Sequence, residues 1–484
     1  MTHKRILPIA KNIAPSLGQI YFIGIGGIGM SSIAEVLHHR GFSVAGSDAA
    51  ESYVTDHLKT LGIGVNIGQE AVNITSQISV IVRSTAIKPS NPELKKAIEL
   101  GIPVIHRSDI LAELMRDKIS IAVGGTHGKT TTTAMVGAIL DHAGLDPTII
   151  NGGVIHAYKS NARIGNSEYV VAEADESDGS FIKLPRSIAI ITNIDPEHLD
   201  YYGTFEKQLD AFKMFLTQLP FYGFAVICKD HPQASAYLDM GIERRLISYG
   251  IYADADIKAS NLRKFPDKTT FDITVNDSVT GEAFHWKDLC LGVPGEHNVE
   301  NCLAALGVAL GLHIPEEGIR KGLLAFSGVK RRFTKTGNWN GVTVIDDYAH
   351  HPKEISTTLN MASDVVKQTN GNVIAVFQPH RYSRVHDLFN DFCTCFPQAQ
   401  TVIVADIYSA GETPIEGITQ TSLVEGIQKS GHPHVVMLEN EQQLPNLIKD
   451  VTKPGDIVLC MGAGSISKWA YELPKKLASS DHMV

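Results

Sequence analysis

The stretch "ISIAVGGTHGKTTTT", residues 119–133, decides the fold predicted for this chain. Its apolar run predicts a strand, its glycines predict a turn, and the following "TAMVGAILDHAG" predicts a helix. A strand, a glycine loop and a helix form the phosphate-binding unit of many α/β proteins, because loop and helix N-terminus direct backbone N–H groups at the phosphates. The spacing is one residue shorter than the strict pattern, since Val123 stands where that pattern has glycine.

The side chains of this loop predict ATP or GTP binding. Lys129 is placed to reach the terminal phosphates, and the Thr130 hydroxyl is placed to bind Mg²⁺. A glycine turn with a solvated lysine would not explain the strand before it and the helix after it.

Short apolar runs and helix-like segments alternate on both sides of this loop, which predicts βα units and largely parallel sheets. Residues 251–292 differ, because their alternating pattern and turn signals predict an antiparallel insert or flank. We expect an α/β protein of three domains, a Rossmann-like N-terminal domain, a P-loop central ATPase domain and a Rossmann-like C-terminal domain. The boundaries are predicted near residues 117 and 330, giving domains 1–117, 118–330 and 331–484.

Length and composition are those of an ordinary globular protein of several domains. The chain has 484 residues, 43% hydrophobic and 20% charged, with a net charge of −9 and no basic block, which disfavours nucleic-acid binding. Pro8, Lys11 and Pro15 interrupt the N-terminal apolar residues, and we expect neither a signal peptide nor membrane insertion. Six sparse cysteines predict reduced thiols and a cytoplasmic protein, with the Cys393-x-Cys395 pair packed rather than metal-bound.

A second glycine loop lies near the N-terminus, in "YFIGIGGIGMS". Gly24, Gly26 and Gly29 follow one predicted strand, and Asp48 ends the next strand about twenty residues later. Glycines let a backbone approach any diphosphate, so this pattern is compatible with NAD, FAD or a nucleotide sugar. It also fits a glycine turn that binds nothing.

Acidic and imidazole side chains follow the next two strands. One cluster is Glu173, Asp175, Glu176 and Asp178. The other is Asn193, Asp195, His198 and Asp200. Clustered carboxylates repel one another unless solvent or a cation neutralises them, and a strand end beside a phosphate site favours Mg²⁺. His198 alone would more often be structural, but its place at a parallel strand end favours a site role.

Seven motifs occur together in one order and resemble the Mur ligase family, which builds the peptide stem of bacterial peptidoglycan. They are "GIGGIGMS", "GGTHGKTTTT", "EADESD", "TNIDPEHLDYYG", "PGEHNVENCLAA", "DDYAHHPKEI" and "FQPHRYSR". The resemblance extends from about residue 18 to about residue 470 and points to the alanine-adding branch of the family. Each motif alone is modest, and the specificity lies in their combination.

The resemblance changes the ligand expected at the first loop from NAD to the UDP part of UDP-N-acetylmuramate. The implied UDP-sugar residues are Gly24, Gly26, Gly27, Gly29, Asp48, Ser84, Thr85 and His106, with Arg107 as a further polar group. Asp48 could bind a ribose hydroxyl, which uridine also carries.

The resemblance also implies an ATP site and a magnesium site in the middle domain. The implied ATP residues are Gly125, Thr126, His127, Gly128, Lys129, Thr130, Thr131 and Asn298, with His297 beside the adenine. The implied Mg²⁺ ligands are Thr130, Glu173 and His198. Asn298 is equally explained as a helix cap, and both roles can coexist. Lys213 aligns with a lysine that other Mur ligases carbamylate, and it is left out of the predicted site.

L-Alanine is implied to bind in the third domain. The implied residues are Tyr348, His350, Arg381 and Arg384, next to Asp347. An amino-acid carboxylate favours a planar guanidinium fork, which gives the two arginines a direct chemical reason. Arg331 and Arg332 could reach the nucleotide. The implied catalytic residues are Lys129, His198, Arg381 and Arg384.

The implied reaction is amide formation driven by ATP. The lactoyl carboxylate of UDP-N-acetylmuramate would take the γ-phosphoryl group as an acyl phosphate, which the L-alanine amine then attacks. The nearest alternative is the recycling ligase that attaches a tripeptide to the same sugar nucleotide. An NAD-dependent dehydrogenase would need a hydride acceptor with a proton donor, and no coherent pair is found. A non-catalytic ATP-dependent switch would hydrolyse ATP slowly without small-molecule substrates.

Overall fold

The structure of the chain, a computed structural model, describes residues 18–479 except residue 368. Pro8, Lys11 and Pro15 lie outside the described residues. The described residues form two compact units. One unit holds residues up to 263 with 270–293 and 298–327, and the other holds 264–269, 294–297 and the residues from 328 onward.

The first unit begins with a sheet of five parallel strands in the order β3-β2-β1-β4-β5. The strands are β1 (Gln19–Ile23), β2 (Val44–Asp48), β3 (Gly64–Ile67), β4 (Ile78–Arg83) and β5 (Val104–His106). The helices are α1 (Ile28–His39), α2 (Tyr53–Thr60), α3 (Pro92–Glu99) and α4 (Arg107–Met115), with a 3₁₀ turn at Ala71–Asn73. The strand order reverses between β1 and β4, and ligands of such sheets bind at the carboxyl ends of the strands beside this reversal.

The same unit contains a sheet of ten strands in the order β15-β14-β13-β12-β11-β10-β6-β9-β7-β8. Its first five strands in chain order are β6 (Ile119–Gly124), β7 (Thr148–Ile155), β8 (Ser160–Arg163), β9 (Tyr169–Glu173) and β10 (Ile188–Ile191). The remaining five are β11 (Phe224–Cys228), β12 (Arg245–Gly250), β13 (Ile257–Lys264), β14 (Thr269–Val275) and β15 (Phe284–Leu291).

Within the described residues, seven helices accompany strands β6 to β15, and three of them have only four residues. They are α5 (Lys129–His142), α6 (Leu199–Tyr202), α7 (Phe205–Thr217), α8 (Pro232–Ser235), α9 (Asp277–Thr280), α10 (Glu296–Gly311) and α11 (Glu316–Ala325). Two 3₁₀ turns lie at Ser180–Lys183 and Ala236–Asp239.

Strand β6 lies between β9 and β10, and all three run parallel. Ile121, Ala122 and Val123 in β6 are fully buried, as expected for a parallel strand covered on both faces. Because parallel strands end at the same edge of a sheet, the segments after β6, β9 and β10 meet there. This edge brings together the phosphate loop and the two polar clusters predicted after strands.

The segment between residues 251 and 292, predicted as an antiparallel insert or flank, forms strands β13, β14 and β15 at one side of the ten-stranded sheet, where β13 pairs in parallel with β12. Phe265 N donates to Lys268 O at the tip of the β13–β14 pair, and Asn276 N donates to Asp256 O at its open end. Strands β14 and β15 are also antiparallel. Asp288 N donates to Asp272 Oδ1, and Thr274 Oγ1 contacts His285 Nδ1, so residue numbers rise along one strand as they fall along the other.

Strand β8 and helix α1 join the two sheets of the first unit through buried polar contacts. Ser160 Oγ in β8 donates to Glu35 Oε2 at 2.8 Å. Asn161 Nδ2 donates to Ile28 O at 2.6 Å and to Ser31 Oγ at 2.9 Å. The helix that follows the first glycine loop is therefore held directly by the P-loop sheet.

The second unit is built on a sheet of six strands in the order β16-β17-β21-β18-β19-β20. They are β16 (Thr334–Trp339), β17 (Val342–Asp347), β18 (Val373–Phe377), β19 (Thr401–Val404), β20 (Val435–Met437) and β21 (Ile457–Met461). Only β16 is antiparallel to its neighbour among the pairs of this sheet. The helices are α12 (Pro352–Val366), α13 (Tyr382–Asp387), α14 (Phe389–Thr394), α15 (Gln420–Lys429), α16 (Leu444–Val451) and α17 (Ile466–Ser479), with a 3₁₀ turn at Glu441–Gln443.

Both faces of this third sheet carry an apolar core. Ala375 and Phe377 belong to one core cluster, while Ile374 and Val376 belong to the other, as the two-residue period of a strand requires. The buried Cys393 and Cys395 pack in the first of these clusters, and all six cysteines are free thiols. The predicted α/β class is thus confirmed, while the boundaries at 117 and 330 stay predictions.

Helix starts follow the capping chemistry of the sequence. Ser52, Asn91, Thr204 and Thr419 each precede a helix and accept a hydrogen bond from a backbone N–H of its first turn. No helix among residues 18–479 is long and apolar enough to span a bilayer.

Candidate active site

The phosphate loop needs glycine at two positions, and the backbone shows why. Gly125 has φ +132° and Gly128 has φ +82°, both in the region that side chains rarely adopt. A Cβ at Gly125 would lie 2.0 Å from Thr192 Oγ1, and one at Gly128 would lie 2.4 Å from Asn301 Oδ1. The loop is therefore packed against the end of β10 on one side and helix α10 on the other.

The "TNID" segment after β10 holds the loop in this shape. Thr126 N donates to Asn193 O at 2.9 Å, and His127 N donates to Asn193 Oδ1 at 2.7 Å. Thr192 Oγ1 donates to His127 O at 2.6 Å, and Asp195 N donates to Thr126 Oγ1 at 2.9 Å. The second polar cluster of the sequence thus includes residues that brace the loop.

Lys129 begins helix α5, and its ammonium group lies inside the loop. It donates to Gly125 O at 2.7 Å and to Thr126 O at 2.9 Å. It also pairs with Glu176 Oε2 at 2.8 Å. Burial disfavours its charge, but the carboxylates of Glu176 and Glu173 outweigh burial and raise the pKa of Lys129. This lysine is a permanent cation held at the loop.

The carboxylates after β9 have different environments. Burial, together with the nearby Asp175, raises the pKa of Glu176 to about 7 despite its contact with Lys129. Asp175 pairs with Arg107 at 2.5 Å. Although burial acts in the opposite direction, Arg107 and Lys129 lower the pKa of Asp175 to about 2. Perturbed groups of both signs beside a glycine loop mark this edge as a candidate reaction site.

One group of possible metal ligands lies beside the loop. Ligand atoms of Glu176, Glu197 and His198 lie within 4.8 Å of one another, and His198 has a left-handed backbone with φ +56°. Of the predicted Mg²⁺ ligands, His198 belongs to this group, and Thr130 lies in the first turn of α5. Glu173 instead accepts from Gly152 N at 2.8 Å.

Glu197 and Glu176 were not among the predicted ligands. Glu197 directly precedes His198, and the left-handed turn at His198 lets both side chains reach one point. The sequence signal that could have found Glu197 is its position next to His198 in "DPEHLD", just after a strand.

The remaining predicted ATP residues lie at helix starts. Thr131 follows Thr130 in α5, and Asn298 lies in the first turn of α10. Burial, with the nearby Arg332, lowers the pKa of His297 to about 4, so this imidazole is neutral near pH 7. A neutral ring suits hydrogen bonding to a base.

Asp48 holds the first glycine loop, a contact that the sequence did not predict. Gly26 N donates to Asp48 Oδ2 at 2.8 Å. Gly24 has φ +81°, and Gly27 is the residue before helix α1. A Cβ at Gly29 would lie 3.0 Å from Arg107 Nη1. The carboxylate expected to bind a ribose therefore also fixes the loop backbone.

Side chains after β4 and β5 connect this first loop region to the P-loop edge. Thr85 Oγ1 donates to Asp178 Oδ2 at 2.6 Å, and His106 Nε2 lies 3.3 Å from the same oxygen. Ser84 contributes its carbonyl to a turn with Ile87 N. With the Arg107–Asp175 pair, the predicted UDP-sugar residues and the acidic cluster face each other within one compact unit.

In the second unit, the rings that follow β17 and β18 lie beside guanidinium groups from the segment before β16. The guanidinium carbons of Arg331 and Arg332 lie 4.7 and 5.2 Å from the centre of the Tyr348 ring. The His350 ring lies 5.0 Å from the ring of Tyr348 and 6.0 Å from the ring of His380. The structure therefore brings Tyr348 and His350 together, as predicted, and adds His380.

The two predicted arginines follow β18 in different surroundings. Arg381 Nε donates to Glu412 Oε1 at 2.5 Å, whereas Arg384 Nη1 lies 3.4 Å from His380. Asp347 accepts from the N–H groups of Phe333 and Ala349, and burial raises its pKa to about 6 although Arg332 is near.

The sequence matches three protein-family profiles in chain order. They are described as the Mur ligase family, catalytic domain, at residues 19–119, the Mur ligase middle domain at residues 123–309, and the Mur ligase, glutamate ligase domain, at residues 331–464. Together they account for most of the chain.

Two named relatives are similar over nearly their full length. A UDP-N-acetylmuramate–L-alanine ligase of Parvibaculum lavamentivorans is 53% identical over 462 residues, covering 96% of this chain and 93% of the relative. The ligase of the same name from Mesorhizobium japonicum is 51% identical over 465 residues, covering 96% of this chain and 99% of the relative.

Two solved structures show the same fold. The UDP-N-acetylmuramate–alanine ligase MurC of Thermotoga maritima superposes with a TM-score of 0.81 at 28% identity, covering 96% of this chain and 100% of that one. The murein peptide ligase mpl of Psychrobacter arcticus gives a TM-score of 0.70 at 23% identity, covering 95% of this chain and 98% of that one.

Proposed function

This chain belongs to the Mur ligase family, and we propose that it is the ligase that joins L-alanine to UDP-N-acetylmuramate at the expense of ATP. The observation that carries the proposal is the 51–53% identity to ligases of that name over 96% of the chain. The products are UDP-N-acetylmuramoyl-L-alanine, ADP and phosphate, and the enzyme serves peptidoglycan precursor synthesis.

The first step needs a carboxylate and a triphosphate held in line, with their negative charges neutralised. Lys129 supplies a fixed cation at the loop, next to the Gly125 and Gly128 backbone that would wrap the phosphates. Arg107 and Thr85 contact the acidic cluster after β9. These contacts support a binding mode in which the lactoyl end of the sugar nucleotide reaches the phosphate-loop edge of the second sheet. The lactoyl carboxylate then takes the γ-phosphoryl group and ADP leaves.

Mg²⁺ is the cofactor proposed beside ATP. The donor set of Glu176, Glu197 and His198 supports it, because paired carboxylates beside a phosphate loop fit a hard divalent cation. Thr130 and Glu173 remain proposed ligands as well. When bound, the ion would neutralise phosphate charge. The proton state of Glu176, whose pKa is raised to about 7, would couple to its binding.

The second step needs an amino acid oriented by its carboxylate. Arg381 and Arg384 are proposed to bind the α-carboxylate of L-alanine or the transferring phosphate, and His380 connects Arg384 with the rings of His350 and Tyr348. The amine attacks the acyl carbonyl, the C–O bond to phosphate breaks, and the amine proton is lost to solvent. We place the enzyme in the bacterial cytoplasm, where ATP is available.

Phosphate release tests the proposal. We expect release from the full chain only when ATP, UDP-N-acetylmuramate and L-alanine are all present, with less from glycine or L-serine. Equal release with a tripeptide in place of L-alanine would favour the recycling ligase. Release without either substrate would favour an ATP-dependent switch.

The ligand of the first loop is tested by calorimetric titration of the full chain. We expect UDP-N-acetylmuramate to bind and NAD to bind far more weakly. Tighter binding of NAD would contradict the proposed function.

A further inference from the structure

Glu412 lies opposite the proposed alanine-binding arginine, and both of its carboxylate oxygens are used. Oε1 accepts from Arg381 Nε at 2.5 Å and from Ser383 Oγ at 2.7 Å. Oε2 accepts from Ser383 N at 3.0 Å. The carboxylate is thus fixed to the start of helix α13 and grips the guanidinium by one edge.

This grip leaves the other end of the guanidinium for a ligand. Among the described residues, neither terminal nitrogen of Arg381 has a hydrogen-bond partner, and the side chain is 35% exposed. A guanidinium bound through Nε can still offer its two terminal N–H groups side by side to a second carboxylate. Because Glu412 already holds Nε, the Arg381 side chain loses less conformational entropy when a ligand binds.

The backbone on both sides of the contact is held in an unfavourable conformation. Arg381 has φ +71°, and Ala410 has φ +50° followed by Gly411 at φ +83°. Glu412 N donates to Ser409 O at 3.0 Å, which closes a tight turn through the two left-handed residues. Non-glycine residues adopt such angles only where the surroundings enforce them, often at functional sites.

The two segments are also joined next to this turn. Arg381 N donates to Tyr408 O at 2.8 Å, and the rings of His380 and Tyr408 are stacked with centres 5.5 Å apart. The turn at residues 409–412 is therefore placed by the segment that carries Arg381, and it returns Glu412 to that arginine.

We propose that Glu412 is a positioning residue that orients the Arg381 guanidinium for the α-carboxylate of the incoming amino acid. The inference rests on the proposed ligase function. Although partial burial acts against ionisation, the Ser383 and Arg381 donors lower the pKa of Glu412, so it is an anionic acceptor at neutral pH and a poor proton acceptor for the amine.

The test is a kinetic comparison of Glu412→Gln with the parent. Glutamine keeps the size and one acceptor but loses the charge that holds Arg381. We expect the KM for L-alanine to rise about tenfold or more, because hydrogen bonds between charged groups are the strong ones. The kcat and the KM for ATP should stay within about threefold, because this inference assigns Arg381 to the α-carboxylate of the amino acid and not to the transferring phosphate.

Glu425→Gln is the matched control, because Glu425 forms an exposed pair with Lys429 on α15.

A double-mutant cycle separates positioning from folding. In an Arg381→Ala background, Glu412→Gln should raise the alanine KM no further, because Glu412 acts through that arginine. A variant that fails to fold would instead lower Tm and affect all three substrates, and Ser383→Ala then provides the same test from the other partner of Glu412.

An unchanged alanine KM in Glu412→Gln, or equal losses for all three substrates in a variant that keeps the Tm of the parent, would overturn the proposal. So would an additive loss in the double variant. If the parent itself makes no phosphate from UDP-N-acetylmuramate and L-alanine, the proposed function fails instead, and the two failures are distinguishable.

Discussion

Two glycine loops of this chain solve the same backbone problem in different electrostatic surroundings. In the first, Gly26 N is bound by Asp48, and the cation near Gly29 is Arg107, which is itself paired with Asp175. In the second, the Lys129 ammonium lies within the loop and faces Glu176. The glycines let either loop approach phosphates. The charges indicate that the second loop supports chemistry, while the first is suited to binding.

Replacing the lysine tests this contrast most severely. Lys129→Ala should lower kcat by about 10³-fold, the size typical of removing a preorganised charge from a phosphoryl-transfer site. The Kd for UDP-N-acetylmuramate should stay within about threefold, because the first loop is the one proposed to bind the sugar nucleotide. Steady-state phosphate release and calorimetry measure the two quantities. Lys321→Ala, at an exposed pair with Glu317, is the control. A parallel loss of UDP-sugar affinity would remove the distinction between the loops.

A matched pair of glycine substitutions asks how tightly each loop is packed. Gly125→Ala should lower the free energy of unfolding by about 2–4 kcal/mol. The new Cβ would lie 2.0 Å from Thr192 Oγ1, and the backbone angle of φ +132° is one that alanine rarely adopts. Gly29→Ala should cost less than about 1 kcal/mol, because alanine is favoured over glycine in helix α1, which offsets the 3.0 Å approach of the new Cβ to Arg107 Nη1. Urea unfolding of both variants checks this. Equal losses would mean that the two loops are equally constrained.

Removing the carboxylate that holds the first loop should affect binding alone. Asp48→Ala should weaken UDP-N-acetylmuramate binding about tenfold, since the Gly26 amide loses its partner. ATP binding should not change. Titration of each ligand measures both effects, and Asp56→Ala on the exposed side of α2 is the control. Loss of ATP affinity would show that the first loop also supports the second.

The effect that develops most gradually is a pH dependence that belongs to the second loop. Burial raises the pKa of Glu176 from 4.5 to about 7, so between these pH values the folded chain holds a proton that the unfolded chain releases. Its stability contribution is present below pH 4.5 and is lost as pH rises through about 7. Glu176→Gln should remove a slope of about 1 kcal/mol per pH unit, measured by urea unfolding across this range. Identical slopes in parent and variant would contradict it.

The sequence was sufficient to predict the fold and most of the residues proposed for the site. Lys129, His198 and Arg381 each follow an apolar run, and parallel strands carry such positions to one edge of a sheet. The sequence motifs and the sheet topology therefore predict the same site residues.

The contacts that could not be predicted come from turns and from distant segments. Glu197 joins His198 because of a left-handed backbone that no periodicity encodes. Glu412 reaches Arg381 from 31 positions away, through a turn placed by Tyr408. The Arg107–Asp175 pair joins two different sheets. Such pairings depend on tertiary packing and leave no local pattern.

The buried contacts between α1 and β8 limit how this protein can be recombined. Ser160, Asn161 and Glu35 are each less than 10% exposed, and their hydrogen bonds cross from the first sheet to the second. In a chimera that exchanges residues 1–117 for those of a distant relative, buried polar groups in α1 and in β8 would lose their hydrogen-bond partners. Transplanting the β7–β8 hairpin, residues 148–163, together with the first segment preserves these partners. The unit of exchange is therefore discontinuous in sequence.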